Sequence, residues 1–242
     1  MHLKEIRFHP DDYPTQRFYP FNHTLFHRTE KISLDSIVTI FVGENGSGKT
    51  TLLEAISRKC GIHIWQNAPR PRIDNNPYEY LLYRYLEMKW SNGSVPGSYF
   101  GSDIFKDFTR ILDEWAVSDP GQLKYFGGKS LLTQSHGQSI LSFFKARYKI
   151  KGLYLLDEPE TALSPKSQLE LLDLLADLSQ AGHAQFIMAT HSPLLMACTN
   201  ATILNFDAEQ IRPISYENTE HFQIYKRFFD DTRRSVLPGQ SR

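Results

Sequence analysis

The sequence has few cysteines, no net charge and no long apolar run. Cys60 and Cys198 are the two cysteines among 242 residues, and each adjoins helix-like sequence, which favours free thiols in a reducing compartment over a disulfide framework. The 27 Lys and Arg residues balance the 27 Asp and Glu residues, so no overall positive field attracts nucleic acid or an anionic membrane. No run of about 18 or more apolar residues could cross a bilayer, and the N-terminus lacks the apolar core of a signal peptide. We therefore expect a cytoplasmic protein without membrane insertion.

The apolar residues that are present alternate between strand and helix patterns. With 40% hydrophobic residues, the chain is able to bury a substantial core. Residues 37–42 are nearly continuously apolar, as a strand covered on both faces should be, and a helix pattern follows at 50–60. Further strand patterns lie at 153–159, 185–193 and 201–214, with a helix pattern at 164–182. This alternation predicts an α/β fold with a mainly parallel sheet core, to which the first residues add a β region.

The stretch from about residue 67 to residue 128 has a different texture. It is rich in prolines and tyrosines and contains short amphipathic pieces such as "YEYLLYRYLEM" and "DIFKDFTRILDEWA". We interpret it as a small, mainly helical lobe inserted into a single domain that covers residues 1–242. The tyrosines, with Arg84 and Lys89 beside them, also fit a surface on which nucleic-acid bases stack, but a solvated amphipathic helix explains them more simply.

The stretch "GENGSGKTT" at residues 43–51 matches the P-loop pattern, with a buried strand before it and a helix after it. Glycines let the backbone fold closely around phosphate, and the N–H groups at the start of the helix attract the negative charge. Lys49 would reach the β- and γ-phosphates, and Thr50 would offer a hydroxyl to Mg²⁺. A glycine turn that matches by chance is disfavoured by this context. The predicted nucleotide-binding residues of the loop are Gly43, Asn45, Gly46, Ser47, Gly48, Lys49, Thr50 and Thr51.

Two later stretches carry candidate catalytic residues. In "LYLLDEPE", Asp157 ends an apolar strand and would hold Mg²⁺ opposite Thr50, while Glu158 would orient and activate the attacking water. Acidic residues often simply end strands, so this pair alone does not indicate a catalytic site. Together with the P-loop it does. His191 in "MATHSP" follows the next strand; an isolated His is more often structural, but here its imidazole is able to contact the γ-phosphate.

The turn "SHGQS" at residues 135–139 offers backbone N–H groups to an anion, although an ordinary helix cap is an alternative. In order, the P-loop, this turn, "DEPE", "ALSP" and the strand-end His resemble the motif succession of the ATP-binding cassette (ABC) ATPases over nearly the whole chain. The resemblance implies a P-loop NTPase of ABC type that binds ATP and Mg²⁺ and hydrolyses ATP. In that family the signature of one subunit binds the γ-phosphate on the P-loop of another. It therefore implies a homodimer through ATP, in which Ser135, Gly137 and Gln138 donate to the partner's nucleotide and residues 162–164 form the D-loop between subunits.

The chain departs from the transporter branch of that family. His136 stands where transporter subunits usually have Gly, and Ser164 stands where they commonly have Asp. "DEPE" with "LSP" is similar to the repair, SMC and OLD-like branch and to small stand-alone predicted ATPases. Gln66 is the poorer candidate for the Q-loop residue, because it comes soon after the first helix. The stand-alone group implies a carboxylate in that role, which places Asp103 at Mg²⁺ or the lytic water.

Three functions remain open at this point. The chain is a stand-alone ATPase acting with a separate effector in DNA repair or phage defence, the energising subunit of a membrane transporter, or a non-hydrolysing nucleotide sensor. A nucleic-acid partner is also open, although the neutral charge disfavours tight nonspecific binding by the isolated chain. The adenine base would stack on one of four aromatic residues, most of which fit core packing equally well. They are Phe18, Tyr19, Phe21 and Phe26.

Overall fold

The computed structural model describes residues 1–65, 76–101, 104–105 and 136–236. Within them the backbone forms a six-stranded sheet and a three-stranded sheet. The strands are β1 (Leu3–Phe8), β2 (Lys31–Ser33), β3 (Val38–Val42), β4 (Leu86–Trp90), β5 (Gly97–Gly101), β6 (Gly152–Asp157), β7 (Ala184–Ala189), β8 (Thr202–Asn205) and β9 (Arg212–Ile214). The helices are α1 (Thr24–Arg28), α2 (Lys49–Lys59), α3 (His136–Arg147), α4 (Pro165–Ala181), α5 (Pro193–Met196) and α6 (Glu220–Val236).

The central sheet has the strand order β5-β6-β7-β3-β8-β9. Every neighbouring pair is parallel except β8 and β9, which run antiparallel. The mainly parallel α/β core predicted from the alternating patterns is therefore confirmed. Because β3, β6 and β7 are parallel neighbours, their carboxyl ends meet at one edge of the sheet, which is where ligands bind in open α/β sheets. The segments that follow these three strands carry the P-loop, Asp157–Glu158 and His191.

Apolar side chains cover both faces of this sheet. On one face, β3, β6 and β7 pack against α3, α4 and α5, with fully buried residues such as Phe144, Leu171 and Phe186. On the other face, alternate residues of the same strands pack against α2 and against the three-stranded sheet, with Leu52 and Ile6 fully buried there. Strands buried on both faces read as continuous apolar runs, which explains the pattern at residues 37–42.

The three-stranded sheet corrects the prediction of a helical lobe. The helix predicted for "YEYLLYRYLEM" is wrong, because Leu82–Tyr85 forms a 3-10 turn and Leu86–Trp90 forms β4. β4 pairs antiparallel with β1, and Leu86 is buried at the pairing while Glu87 is exposed. The backbone of β1 thus supplies hydrogen-bond partners that outweigh the local helical pattern. Most of "DIFKDFTRILDEWA" lies outside the described residues, so the extent of a lobe at 67–128 stays a prediction.

The C-terminal helix α6 was not predicted from the sequence. It is strongly amphipathic, and four large apolar side chains on it are between 44% and 61% exposed. They are Ile224, Tyr225, Phe228 and Phe229. Within the described part of the chain, no helix is long and apolar enough to cross a membrane. Both cysteines are half-buried free thiols, as predicted, and burial raises the pKa of Cys60 to about 12 and that of Cys198 to about 11.

Candidate functional site

The glycine loop between β3 and α2 is fixed by its backbone conformation and by close packing. Gly43, Gly46 and Gly48 have φ angles of 151°, 81° and 98°, a region that side chains with a Cβ rarely adopt. A Cβ on Gly48 would lie 2.8 Å from Cζ of Phe26, whereas one on Gly46 would meet nothing within 4 Å. Gly46 is exposed. The loop therefore packs against Phe26 at Gly48 and is exposed to solvent at Gly46, where its N–H groups are able to bind an anion.

Lys49, the first residue of α2, places its ammonium inside this loop. The side chain is only 4% exposed, and Nζ donates to the carbonyl oxygens of Gly43 at 2.7 Å and Glu44 at 2.9 Å. Burial lowers the pKa of Lys49, and the nearby carboxylates of Glu158 and Asp207 oppose that shift. A cation enclosed by a loop of phosphate-binding shape is the arrangement expected of a P-loop lysine.

Asp157, at the end of β6, receives two hydroxyl hydrogen bonds. Thr50 Oγ1 donates to Oδ1 at 3.1 Å, and Tyr99 OH, from the neighbouring strand β5, donates to Oδ2 at 2.9 Å. Burial raises the pKa of Asp157 to about 6, although both hydroxyls favour the charged form; the negative charges of Glu158 and Glu54 add to the rise. A cation beside this carboxylate would offset the unfavourable burial of its charge.

These oxygens fit Mg²⁺, which prefers one or two carboxylates completed by water and phosphate oxygens. The pair of Thr50 and Asp157 supplies one hydroxyl and one carboxylate within hydrogen-bonding distance of each other. Across the described ranges, no group of three or more His, Cys, Asp or Glu side chains could hold a metal ion. A magnesium ion at Thr50 and Asp157 would therefore depend on the nucleotide for most of its ligands. Asp103, the other predicted metal ligand, lies outside the described residues, as does Gln66.

Glu158 adopts a left-handed backbone conformation, with φ 44° and ψ 55°. For a residue with a Cβ this costs roughly 1–2 kcal/mol, and such strain is often found at functional sites. Two hydrogen bonds hold it: the Glu158 N–H donates to the Ala189 carbonyl at 2.9 Å, and Thr161 Oγ1 donates to the Glu158 carbonyl at 2.8 Å. The turn brings Oε1 of Glu158 to 3.7 Å from Nε2 of His191. Two of the three residues predicted as catalytic, Glu158 and His191, thus face each other, and Lys49 is the third.

His191 is fixed from two further sides. Its backbone N–H donates to Oε1 of Glu160 at 2.5 Å, and its Nδ1 lies 3.1 Å from Nε2 of His221 in α6. Burial and the positive charge of Lys49 lower the pKa of His191, while Glu158 opposes the shift. This shift favours the neutral imidazole, and the charges of Lys49 and Glu158 both act on it.

The signature residues lie beside the D-loop segment of their own chain. Gly137 is the second residue of α3, and a Cβ there would lie 3.6 Å from both the Ala162 carbonyl and Ser167 Oγ. Gln138 follows with an exposed side chain. Ser164 caps α4, because its Oγ accepts from the Ser167 N–H at 3.2 Å. Ser135 lies outside the described residues.

Two of the aromatic candidates for adenine stacking are core residues. Phe21 and Phe26 are fully buried, so neither offers a ring face to a base. Tyr19 forms a hydrogen bond through its hydroxyl with Oγ1 of Thr51, and Phe18 is 49% exposed. Of the four candidates, Tyr19, beside α2, and Phe18 therefore remain available to a nucleotide.

Several residues of this site escaped the sequence analysis. Tyr99, Glu160 and His221 hold Asp157 or His191 in place. Gln168 links two predicted segments, because its Nε2 donates to the Leu163 carbonyl at 3.0 Å and its Oε1 accepts from Ser192 Oγ at 2.5 Å. Only Glu160 had a local signal, as the last residue of "DEPE"; the others act through contacts between distant parts of the chain.

Comparison with known families gives two matches along the chain. The family described as "AAA domain, putative AbiEii toxin, Type IV TA system" matches residues 90–197, and the family described as "AAA domain" matches residues 18–61. The second match includes the glycine loop, and the first includes Asp157, Glu158 and His191. Both descriptions name an AAA domain, so these partial matches, with the fold and the glycine loop above, make the chain similar to ATP-binding P-loop proteins of the ABC/AAA class.

Individual similar proteins include two named for export or import and one solved structure that shares the fold. The macrolide export ATP-binding/permease protein MacB of Campylobacter jejuni is 25% identical over 209 residues, which cover 76% of this chain but 31% of MacB. The molybdate import ATP-binding protein MolC of Haemophilus influenzae is 27% identical over 174 residues, which cover 67% of this chain and 65% of MolC. The SMC head domain of Thermotoga maritima has the same fold, with a TM-score of 0.52 at 19% identity, over 89% of this chain and all of that domain. The chain thus spans about a third of the length of MacB.

Proposed function

We propose that the chain binds ATP with Mg²⁺ and hydrolyses it in a homodimer, with each nucleotide held between two copies. The observation that carries the catalytic part is the convergence of Lys49, Asp157, Glu158 and His191 at one edge of the sheet. Within that group, Lys49 is buried in the loop and Glu158 faces His191 at 3.7 Å.

Each residue then has one task in the reaction. Lys49 and the loop N–H groups bind the β- and γ-phosphates and offset their charge. Thr50 and Asp157 would hold Mg²⁺, which would supply positive charge at the phosphate oxygens. Glu158 orients the attacking water and accepts its proton, and His191 donates from Nε2 to the γ-phosphate. Positioning and charge stabilisation account for most of the rate enhancement in phosphoryl transfer.

The dimer is supported by the position of the signature. Gly137 packs beside Ala162 and Ser167 of its own chain, and the exposed Gln138 follows it at the start of α3. In this arrangement the backbone N–H groups there, together with Ser135, contact the γ-phosphate on the P-loop of a second copy. The helix dipole of α3 adds to that attraction.

The variant Glu158→Gln tests the dimer. The amide keeps the shape of the carboxylate but does not accept a proton, so bound ATP persists and the dimer should accumulate. With ATP and Mg²⁺, light scattering after gel filtration should give twice the 28.0 kDa mass of the chain. Without nucleotide, the same variant should elute as a monomer.

Gly137→Asp in the Glu158→Gln background is the matched control. The space at Gly137 admits a Cβ in ordinary contact, so the protein should fold and bind ATP, but the new carboxylate would repel the partner's γ-phosphate. This double variant should therefore stay monomeric with ATP bound. A Glu158→Gln variant that binds ATP tightly and yet remains monomeric at high protein concentration would refute the nucleotide-linked dimer.

The process that the ATPase drives is proposed to be non-transport, with a separate effector of the DNA-repair or phage-defence type. The family that matches residues 90–197 is described as "AAA domain, putative AbiEii toxin, Type IV TA system", and the SMC head domain shares the fold. Transporter coupling is the second candidate, because MacB and MolC are both export or import proteins by name.

A pull-down from the native host, with tagged Glu158→Gln protein in ATP or in ADP, separates these functions. ATP-dependent capture of a nuclease or toxin supports the effector, and capture of a membrane permease supports the transporter. A nucleotide sensor that does not hydrolyse would show no turnover in the wild type. Binding of DNA that weakens steeply with salt would point to a nucleic-acid partner.

A further inference from the structure

A second imidazole lies directly behind His191. Nε2 of His221 is 3.1 Å from Nδ1 of His191, and the two rings have centroids 5.3 Å apart at an interplanar angle of 55°. His221 is the second residue of α6, the helix that follows the last strand of the central sheet. The two residues are 30 positions apart, so this contact depends on how α6 docks against the loop after β7.

The start of α6 is fixed against that loop by other contacts. Thr219 Oγ1 accepts from the Phe222 N–H at 3.3 Å, which caps the helix. Tyr216, just before the helix, packs its ring on Phe222 with centroids 4.7 Å apart, and its hydroxyl donates to the Pro193 carbonyl at 3.0 Å. His221 is therefore presented to His191 by an ordered helix start.

The hydrogen bond between the two rings contains a single proton. In a neutral imidazole one nitrogen donates and the other accepts, so either His191 donates from Nδ1 or His221 donates from Nε2. In the first arrangement, Nε2 of His191 carries a lone pair and faces Oε1 of Glu158 at 3.7 Å. Two acceptors would then face each other, which is unfavourable.

The second arrangement removes this conflict. If His221 donates, His191 carries its proton on Nε2 and directs an N–H toward the Glu158 carboxylate. Nε2 is buried and forms no hydrogen bond within the part of the chain that the structure describes. A buried N–H without a protein partner is costly unless a ligand accepts from it. The geometry thus leaves this donor for an acceptor that enters the site, as a γ-phosphate oxygen would.

We propose that His221 is a positioning residue for ATP hydrolysis: its Nε2–H donates to Nδ1 of His191 and so fixes the His191 tautomer whose Nε2–H faces the γ-phosphate. This inference rests on the proposed role of His191 as the γ-phosphate contact. The tautomer of an imidazole is set by the hydrogen bond on its other nitrogen. Without His221, the Nδ1–H and Nε2–H forms of His191 interconvert, and a fraction of the molecules presents a lone pair to the phosphate.

Two substitutions separate positioning from packing. His221→Leu removes the donor, and His221→Gln keeps an N–H donor on a side chain of similar reach. We expect kcat to fall about tenfold in His221→Leu, the lower end of the loss that follows removal of a partner that orients a metal-binding His, while KM for ATP stays within about twofold. His221→Gln should recover most of kcat. The exposed His63 gives the control His63→Leu, which should leave both constants unchanged.

Nitrogen-15 spectra of the imidazoles provide the readout that packing alone would not change. In the wild type, the His191 resonances should show a protonated Nε2 and a bare Nδ1; in His221→Leu they should shift toward a mixture of both forms. A wild-type His191 protonated on Nδ1 would overturn the proposal, as would a His221→Gln variant no more active than His221→Leu. If the wild type fails to hydrolyse ATP, the proposed function is wrong, and the tautomer measurement still decides the assignment of the hydrogen bond.

Discussion

Replacing Asp157 by Asn should change how the stability of the nucleotide-free protein depends on pH. Burial raises the pKa of this carboxyl from its ordinary value of 3.8 to about 6 in the folded protein. A difference of about two pKa units corresponds to about 3 kcal/mol between the two protonation states. The wild type therefore carries a destabilising charge at neutral pH that the Asn variant lacks.

The sign follows from which state binds the proton. Between about pH 4 and pH 6 the unfolded chain has lost the Asp157 proton while the folded protein still keeps it, so the contribution of this group to the free energy of unfolding falls as pH rises. Above about pH 7 both states are ionised, and the loss is complete. The difference in stability, Asp157→Asn minus wild type, should therefore increase by about 2 kcal/mol between pH 4.5 and pH 7 and then stay level.

Urea denaturation of both proteins at intervals from pH 4.5 to pH 8 measures this difference. An Asn oxygen replaces only one of the two acceptors used by Thr50 and Tyr99, which adds an offset that does not depend on pH. Titrating groups that do not interact with Asp157 cancel in the subtraction, whereas Glu158 and Glu54, whose charges act on Asp157, make a smaller contribution of their own. Saturating ATP with Mg²⁺ should stabilise the wild type, by about 2.7 kcal/mol at a hundredfold excess over Kd, but should hardly stabilise the variant. Parallel pH profiles for the two proteins would refute the assignment of a raised pKa to Asp157.

Two further substitutions test the loop and its surroundings. Gly48→Ala should destabilise the protein by roughly 2–5 kcal/mol, from backbone strain at a φ of 98° and from the 2.8 Å approach to Phe26, whereas Gly46→Ala should cost only the strain of roughly 1–2 kcal/mol; thermal denaturation compares them, and equal losses would mean that Phe26 does not constrain the loop. Tyr99→Phe removes one of the two donors to Asp157. Because a hydrogen bond to a charged group is usually worth roughly 1.5–3 kcal/mol, the Mg²⁺ concentration that gives half of the maximal ATPase rate should rise roughly tenfold or more. A Mg²⁺ titration of the ATPase rate measures this, and an unchanged midpoint would contradict it.

The position of the candidate site in the fold was predictable because its residues lie in short motifs next to buried strands. The glycine loop, Asp157, Glu158 and His191 each follow a strand with a continuous apolar pattern, and the parallel sheet brings those strand ends together. Local spacing was sufficient for this edge of the sheet. The roles of these residues as a working set remain predictions.

The errors concern segments whose structure depends on distant partners. The stretch at residues 78–88 has a helical pattern, but β1 recruits its second half as a strand. The contacts of Tyr99 and His221 depend on strand order and on the docking of α6, which no local pattern reveals. Helix α6 itself had a signal that was overlooked: Phe222, Tyr225 and Phe229 recur at helical spacing after a capping Thr.

The seat of Gly48 on Phe26 has a consequence for the N-terminal part of the chain. Phe26 lies in α1 and shares one core with β1 and with α2. Residues from the first thirty or so positions therefore pack against the glycine loop and support it. Their sequence contains none of the motifs that identify an ATPase. A shorter fragment that lacks these residues would nevertheless lose the packing of Phe26 against Gly48, which constrains the conformation of the loop.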